Sequence, residues 1–231
     1  MQHKSDLRSW VAVIPIRKGS KGLLDKNIRD LNGKPLYMHT VDQALAAGAA
    51  KIILSTNIAE VIDSVHDPRV TILVRPEELC GDDIQMAPVL AHAINASNLQ
   101  GTIALMQATS PLRSVVNIDK ALSIWWGGAY DMVMSVSKAD KSALKYGLLS
   151  GDEFLPLSNP DFCFSNRQSL PDIYRPNGAI YLIDAKKFIN FNKFSYGRIG
   201  TMKMSKMESI DIDSIDDFNK CEEILAAQRE C

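Results

Sequence analysis

Apolar positions along the chain fall into two rhythms. Residues 10–16 (WVAVIPI) form a short Val/Ile-rich run ending in a glycine-containing loop, the pattern of a strand buried on both faces rather than of an alternating edge strand. Runs of the same kind occupy residues 51–54 (KIIL), 70–74 (VTILV), 102–107 (TIALMQ) and 132–136 (MVMSV), with helical periodicity at 36–47, 86–96 and 116–126 between most of them. This alternation predicts a mainly parallel sheet covered by helices. Over residues 138–176 the regularity gives way to polar stretches containing Pro and Gly. So long a break in a compact domain predicts an inserted arm, lid or small subdomain. Pattern returns at 179–183 (AIYLI), with further strands expected near 199–204 and 209–212 and a closing helix over about 215–227.

Composition narrows the class. With 231 residues, 46% hydrophobic and 23% charged, the chain can bury a substantial core. Its 26 basic and 27 acidic residues leave a net charge of -1, so no global field draws it to nucleic acid or an anionic membrane surface. Any phosphate chemistry must be locally organised. Cys80, Cys163, Cys221 and Cys231 are scattered, without a C-x-x-C pair or histidines at zinc-ligand spacing. No stretch approaches the about eighteen uninterrupted apolar residues of a membrane span, and the N-terminus has no apolar leader pattern. A cytoplasmic protein is the expectation.

Four stretches could carry chemistry. The first is the loop Arg17-Lys18-Gly19-Ser20-Lys21-Gly22 with Lys26 and Asn27. Its glycines let backbone N–H groups approach phosphate oxygens and its cations supply charge, although a basic solvated turn would look the same. It matches neither the P-loop nor the dinucleotide fingerprint. The second is Gln107-Ala108-Thr109-Ser110-Pro111-Leu112-Arg113, at a strand's carboxyl end, where ligands of open α/β sheets collect. Gln107 has the donor and acceptor to read a base edge, while Thr109 and Ser110 fit a helix cap at least as well.

The third is Asp211-Ile212-Asp213. In a strand its two carboxylates share a face, an oxygen pair suited to Mg²⁺ held together with substrate phosphates. The competing explanation is that Asp213 or Ser214, with Asp217 three residues on, caps the last helix. The fourth is Arg167-Gln168 followed by Tyr174-Arg175-Pro176-Asn177-Gly178-Ala179-Ile180-Tyr181. Asn-Gly alone signals a turn, and Arg167 is either a bidentate carboxylate binder or a solvated surface residue. His39, His92 and the methionines, Met132 and Met134 among them, read as packing residues.

Together and in this order, these stretches resemble the acylneuraminate cytidylyltransferases over essentially the whole chain. The resemblance is carried by Ile16 to Gly22 with Lys26-Asn27, by Leu31-Asn32-Gly33-Lys34-Pro35-Leu36, and by Arg75-Pro76-Glu77-Glu78-Leu79. Gln107 to Arg113, Arg167 to Tyr181 and the Asp-Ile-Asp near the C-terminus complete it. Asp25 stands where the family often has a basic residue, and residues 82–86 lack the Ser/Thr that it often places near the base.

The resemblance implies an α/β fold, doubly wound with a mainly parallel sheet, of the nucleotide-diphospho-sugar transferase type. It implies one domain over 1–231, with 138–176 as a dimerisation arm, and a homodimer. The implied reaction is transfer of CMP from CTP to the anomeric hydroxyl of a sialic-acid-like nonulosonic acid, with release of pyrophosphate, using Mg²⁺ or Mn²⁺. Arg17, Ser20, Lys21, Lys26, Asn27, Arg75 and Asp82 would serve the nucleotide. Gln107, Thr109, Arg167, Asn177 and Tyr181 would serve the sugar, and Asp211 and Asp213 the metal. Arg17, Lys21 and Asp211 would be catalytic. An enzyme acting on an octulosonate or a sugar phosphate, a non-catalytic nucleotide binder and a glycosyltransferase are the rivals.

Overall fold

A computed structural model describes residues 8–19, 22–64, 67–194 and 196–229. In chain order the elements are β1 (Trp10–Pro15), β2 (Asp30–Leu31), β3 (Lys34–Pro35), α1 (Leu36–Ala46), β4 (Lys51–Thr56), α2 (Ala59–Ile62) and β5 (Val70–Val74). They continue as α3 (Met86–Ala96), β6 (Thr102–Leu105), α4 (Val115–Trp126), β7 (Met132–Lys138), β8 (Gly147–Ser150) and β9 (Glu153–Pro156). The last are β10 (Tyr174–Asp184), α5 (Ala185–Phe191), β11 (Ile199–Met204) and α6 (Ile215–Arg229).

Seven strands form one sheet in the order β11-β7-β10-β6-β1-β4-β5. Every pairing is parallel except those of β10, which runs antiparallel to β6 and β7. The sheet is doubly wound because successive side chains of a strand point to opposite faces. In β1, Trp10, Ala12 and Ile14 enter the core beneath α1 and α4, and Val13 enters the one beneath α3 and α5. With both faces covered, the central strands read as unbroken apolar runs. Each fully buried aliphatic side chain there contributes about 1.5–3 kcal/mol.

Local signals explain most boundaries. Ser114 caps α4 through a reciprocal capping box with Asn117, and Asp184 caps α5 through the Lys187 N–H. Asn192 ends α5 in the left-handed conformation, at φ 49°. β2 and β3 pair across Asn32-Gly33, both at positive φ, as a two-residue hairpin.

Three expectations need correction. Residues 209–212 are not a strand: Ser209 ends a turn over 206–209 in which its N–H donates to Ser205 O at 3.1 Å, and the irregular segment after it meets a loop, where Ile212 N–H donates to Thr109 O at 2.8 Å. Thr109 and Ser110 do not cap α4, because Ser114 does. Asn177-Gly178 is no chain-reversing turn; it lies inside β10, where the register with β7 shifts between Pro176 and Tyr181. The positive φ of Gly178, 79°, belongs to that bulge.

Residues 138–176 hold the antiparallel pair β8/β9 and short 3₁₀ turns at Lys141–Lys145, Pro160–Phe164 and Arg167–Ser169. Leu149 and Phe164, at 77% and 92% exposure, lie open on it.

Candidate active site

β1 and β6 are neighbours, and the loops leaving their carboxyl ends form the wall of a cavity of about 390 Å³. Arg17, Gly22, Lys26 and Asn27 come from the first loop and Gln107, Ala108 and Thr109 from the second. Arg75, Asp82 and Met86 enter from the chain after β5, and Asp211 and Asp213 from the segment before α6. Four stretches far apart in sequence therefore meet at the point where strand order reverses about β1.

The first loop is held in shape by its own residues. Asn27 is buried, and its Nδ2 donates to Arg17 O at 3.0 Å, bridging the loop. The N–H of Lys18 donates to Asn57 Oδ1 at 3.0 Å. Gly22 packs directly on the acid segment, where a Cβ would lie 2.2 Å from the carbonyl oxygen of Asp213. The Arg17 guanidinium lies at the cavity mouth, ion-paired with Asp82 and within 3.4 Å of Cys80 O. Ser20 and Lys21 lie outside the described residues.

Arg75 is buried against β4, where Nη2 donates to Ser55 O at 2.7 Å and Nε to Ser55 Oγ at 3.2 Å. Burial pulls its pKa down, the nearby Cys80 thiol works against that, and the positive charge of Arg17 adds to it. Its cation is thus fixed in the cavity wall.

Asp211 and Asp213 face this cavity on either side of Ile212, which is fully buried in the α6 core. The expected alternation therefore survives without a sheet. The helix-cap explanation is satisfied by other atoms: Ser214 Oγ accepts from Asp217 N–H at 3.2 Å, and Asp217 Oδ2 accepts from Ser214 N–H at 3.0 Å. Neither carboxylate of the pair is used for capping. Lys26 Nζ reaches Asp213 Oδ1 at 3.0 Å. Burial pushes the Asp211 carboxyl pKa up, a hydrogen bond from Thr109 opposes this, and the charge of Asp213 reinforces it.

Asp211 Oδ1 is shut off from solvent and has no hydrogen-bond partner. A bare carboxylate oxygen beside a second, exposed carboxylate fits a hard divalent cation. Among the described residues no three His, Cys, Asp or Glu side chains converge. Two carboxylates suit Mg²⁺, which keeps waters and takes substrate phosphate oxygens.

Two further cavities adjoin the first, and Gln107 lines all three. One, of about 400 Å³, is apolar, with Met86, Met134, Tyr181, Phe194 and Ile199 among its walls. Burial raises the pKa of the Tyr181 phenol, and the charge of Asp211 adds to the shift. The other, of about 740 Å³, opens past Asp211 and Asp213 toward Arg175, Lys206 and Lys220. Met86, Met134, Phe194 and Ile199 carry no polar motif and come from four elements or loops, so only the three-dimensional fold assembles them. Gln107 makes a close contact of its own, since a Cβ on Gly178 would lie 2.7 Å from Gln107 Oε1.

Asn177 lines the third cavity with its amide otherwise engaged, and Arg167 stands apart from the rest. The Asn177 amide turns inward and is occupied: Oδ1 accepts from Ser135 Oγ at 2.5 Å, and Nδ2 donates to Ser209 Oγ at 2.9 Å. It holds the β10 bulge. Arg167 is exposed on the inserted segment, 3.3 Å from Asp140 Oδ1, and lines none of the three cavities.

A doubly wound sheet whose strand ends gather cations, an amide and paired carboxylates around one cavity has the architecture shared by nucleotidyltransferases of known structure. The sequence profile of the cytidylyltransferase family matches residues 11–228, and the chain belongs to that family. It is 30% identical over 212 residues to the N-acylneuraminate cytidylyltransferase of Streptococcus agalactiae, covering 90% of this chain and 51% of that one. To the enzyme of that name from Escherichia coli it is 31% identical over 211 residues, covering 90% and 50%. The chain thus spans about half the length of these curated relatives. The CMP-N,N'-diacetyllegionaminic acid synthase of Legionella pneumophila is 29% identical, covering 95% and 97%. Among solved structures, CMP:2-keto-3-deoxy-manno-octonic acid synthetase complexed with CTP superposes with a TM-score of 0.70 at 15% identity, covering 95% and 99%. That likeness concerns the fold. Among the described residues no helix is long and apolar enough to cross a membrane.

Proposed function

We propose that the chain transfers CMP from CTP to the anomeric hydroxyl of a sialic-acid-like nonulosonic acid, releasing pyrophosphate. The observation that carries this reading is the cavity in which Arg17, Lys26 and Arg75 face the Asp211–Asp213 pair. Relatives named as N-acylneuraminate cytidylyltransferases and as a legionaminic acid synthase support the substrate class. So does the apolar cavity beside Gln107, which has room for the acyl groups of such sugars.

In this reading the triphosphate lies along the first loop, with Arg17 and Lys26 beside it. Arg17 leaves Asp82 to meet phosphate oxygens, and Lys21 adds its charge. Asp211 and Asp213 would hold Mg²⁺ or Mn²⁺, which when bound neutralises phosphate charge. Fixed cations stabilise the charge that grows on the α-phosphate and on the departing pyrophosphate. The Gln107 amide, at the junction of the cavities, orients sugar against nucleotide, and Thr109 and Tyr181 flank it. Arg167 stands away from its own chain's cavity, so in a homodimer joined through the exposed β8/β9 segment it would serve the partner's sugar site. The reaction uses soluble substrates and suits a cytoplasmic enzyme supplying activated sugars for cell-surface glycans.

Pyrophosphate release with CTP and with UTP, against nonulosonic acids, octulosonic acids and sugar 1-phosphates, tests the reading. CTP with a nonulosonic acid is the expected pair, and preference for UTP with a sugar 1-phosphate overturns it. Light scattering gives a dimer if the arm joins two chains, and Leu149→Glu gives a monomer.

A further inference from the structure

Arg113 ends the second loop and at 1% exposure is fully buried. No carboxylate pairs with it among the described residues, and burial alone pulls its pKa down, to about 9. At neutral pH the guanidinium still carries its charge. Every acceptor it reaches is neutral. Nη1 donates to Ala179 O at 2.7 Å and to Gln107 O at 3.3 Å, and Nη2 to Thr40 Oγ1 at 2.8 Å and Gln43 Oε1 at 3.0 Å. α1 returns the clamp, with Gln43 Nε2 donating to Pro111 O at 2.7 Å and Thr40 Oγ1 to Gln107 O at 3.4 Å.

A buried cation without a counter-charge is an expensive way to fill a core, and an apolar side chain of similar volume would fill it more cheaply. What the planar fork adds is a tie between three parts of the chain, the second loop and β10 through backbone carbonyls and α1 through the Thr40 and Gln43 side chains. The two carbonyls flank a single contact. One belongs to Gln107, the other to Ala179, next to the Gly178 on which the Gln107 amide packs. That amide stands where the three cavities meet, and Arg113 itself lines none of them.

We propose that Arg113 is a positioning residue: by holding the carbonyls of Gln107 and Ala179, it fixes the Gln107 amide at the junction of the cavities without touching substrate. The kinetic consequence rests on the cytidylyltransferase reading. The position of the amide does not, and can be observed without turnover.

Arg113→Lys replaces the fork by a point charge, and Thr40→Val removes one of its acceptors at nearly constant shape. The ¹⁵N side-chain amide signals of Gln107, assigned by their loss in Gln107→Ala, should shift or broaden in both variants, while exposed Val116→Ala leaves them unchanged. KM for the sugar acid should rise about tenfold in Arg113→Lys, and less than about twofold when the same change is made in a Gln107→Ala background. Unchanged Gln107 signals in folded Thr40→Val and Arg113→Lys, or equal KM changes in the two backgrounds, would overturn the proposal. If Arg113→Lys does not fold, Thr40→Val decides by the same signals. If the wild type releases no pyrophosphate with any sugar, the proposed function fails and the signals still decide the position.

Discussion

Lys26 Nζ stands 3.0 Å from Asp213 Oδ1 and 2.7 Å from Ile212 O, so one ammonium joins the first loop to the acid pair. Asp213 is 76% exposed at its side chain and Lys26 only 12%, so the ion pair contributes about 1 kcal/mol while methionine keeps the buried stem of the lysine packed. Lys26→Met should therefore fold with little change in melting temperature. If the proposed function holds, its pyrophosphate release should fall about a hundredfold or more, because a cation lining the cavity is lost. Thermal denaturation beside a coupled pyrophosphate assay separates the two effects.

Asp211 should show the opposite balance. Its Oδ1 is bare and enclosed, so the ionised carboxyl costs the fold more than a neutral group would. Asp211→Asn should stabilise the metal-free protein by about 1 kcal/mol while abolishing turnover. Added Mg²⁺ should raise the melting temperature of the wild type by mass action and leave the variant unchanged. A variant that melts lower than wild type without metal would show that the carboxylate is structurally satisfied.

Gly22 is the tightest point between loop and acid segment. In Gly22→Ala the new methyl meets a backbone carbonyl, which has no rotamer by which to move away, so the loop or the Asp213 segment must shift. Overpacking of this kind costs about 1–3 kcal/mol. Denaturant titration should report that loss, and CTP binding by calorimetry should weaken as the loop is displaced.

At the root of the inserted segment, Asp172 accepts from Lys138 Nζ and Lys141 Nζ, each at 2.8 Å. These bonds hold its carboxyl pKa down to about 2 from the ordinary 3.8. The native pKa is the lower one, so the stabilisation is complete above the ordinary value and is lost as pH falls from there through about 2. Carboxyl ¹³C titration should give Asp172 a midpoint near 2, moving upward in Lys138→Ala and in about 0.5 M salt, which screens exposed pairs.

Much of the sheet was legible because β1, β4 and β6 are buried on both faces and read as plain apolar runs, and β5, though it lies at the sheet edge, is apolar at four of its five positions. α3 and β11 occupy the residues that periodicity assigned. The acid pair was legible for a different reason: an apolar Ile212 between two carboxylates signals alternation whether or not a partner strand exists. Residues 209–212 were misread as a strand on that same signal. Periodicity reports which way side chains point, and the Ile212 backbone finds a loop rather than a strand. Asn177 lines the third cavity while its amide holds the bulge, a second task that its place in the sequence does not announce. The apolar cavity was invisible because Met86, Met134 and Phe194 each look like core until the fold leaves a space between them and Tyr181.

The single reversed strand has one more consequence. Because β10 runs against its neighbours, it begins at the edge where β7 ends, and that is also the edge where β1 and β6 deliver their loops. Whatever the chain inserts between β7 and β10 therefore leaves and re-enters at the rim of the candidate active site. Such a segment can lengthen, shorten or change its surface while the register of the sheet stays as it is. Apart from Leu170, which is buried, the segment keeps its large apolar side chains partly or wholly in the open, so its surface can change with little disturbance to the core.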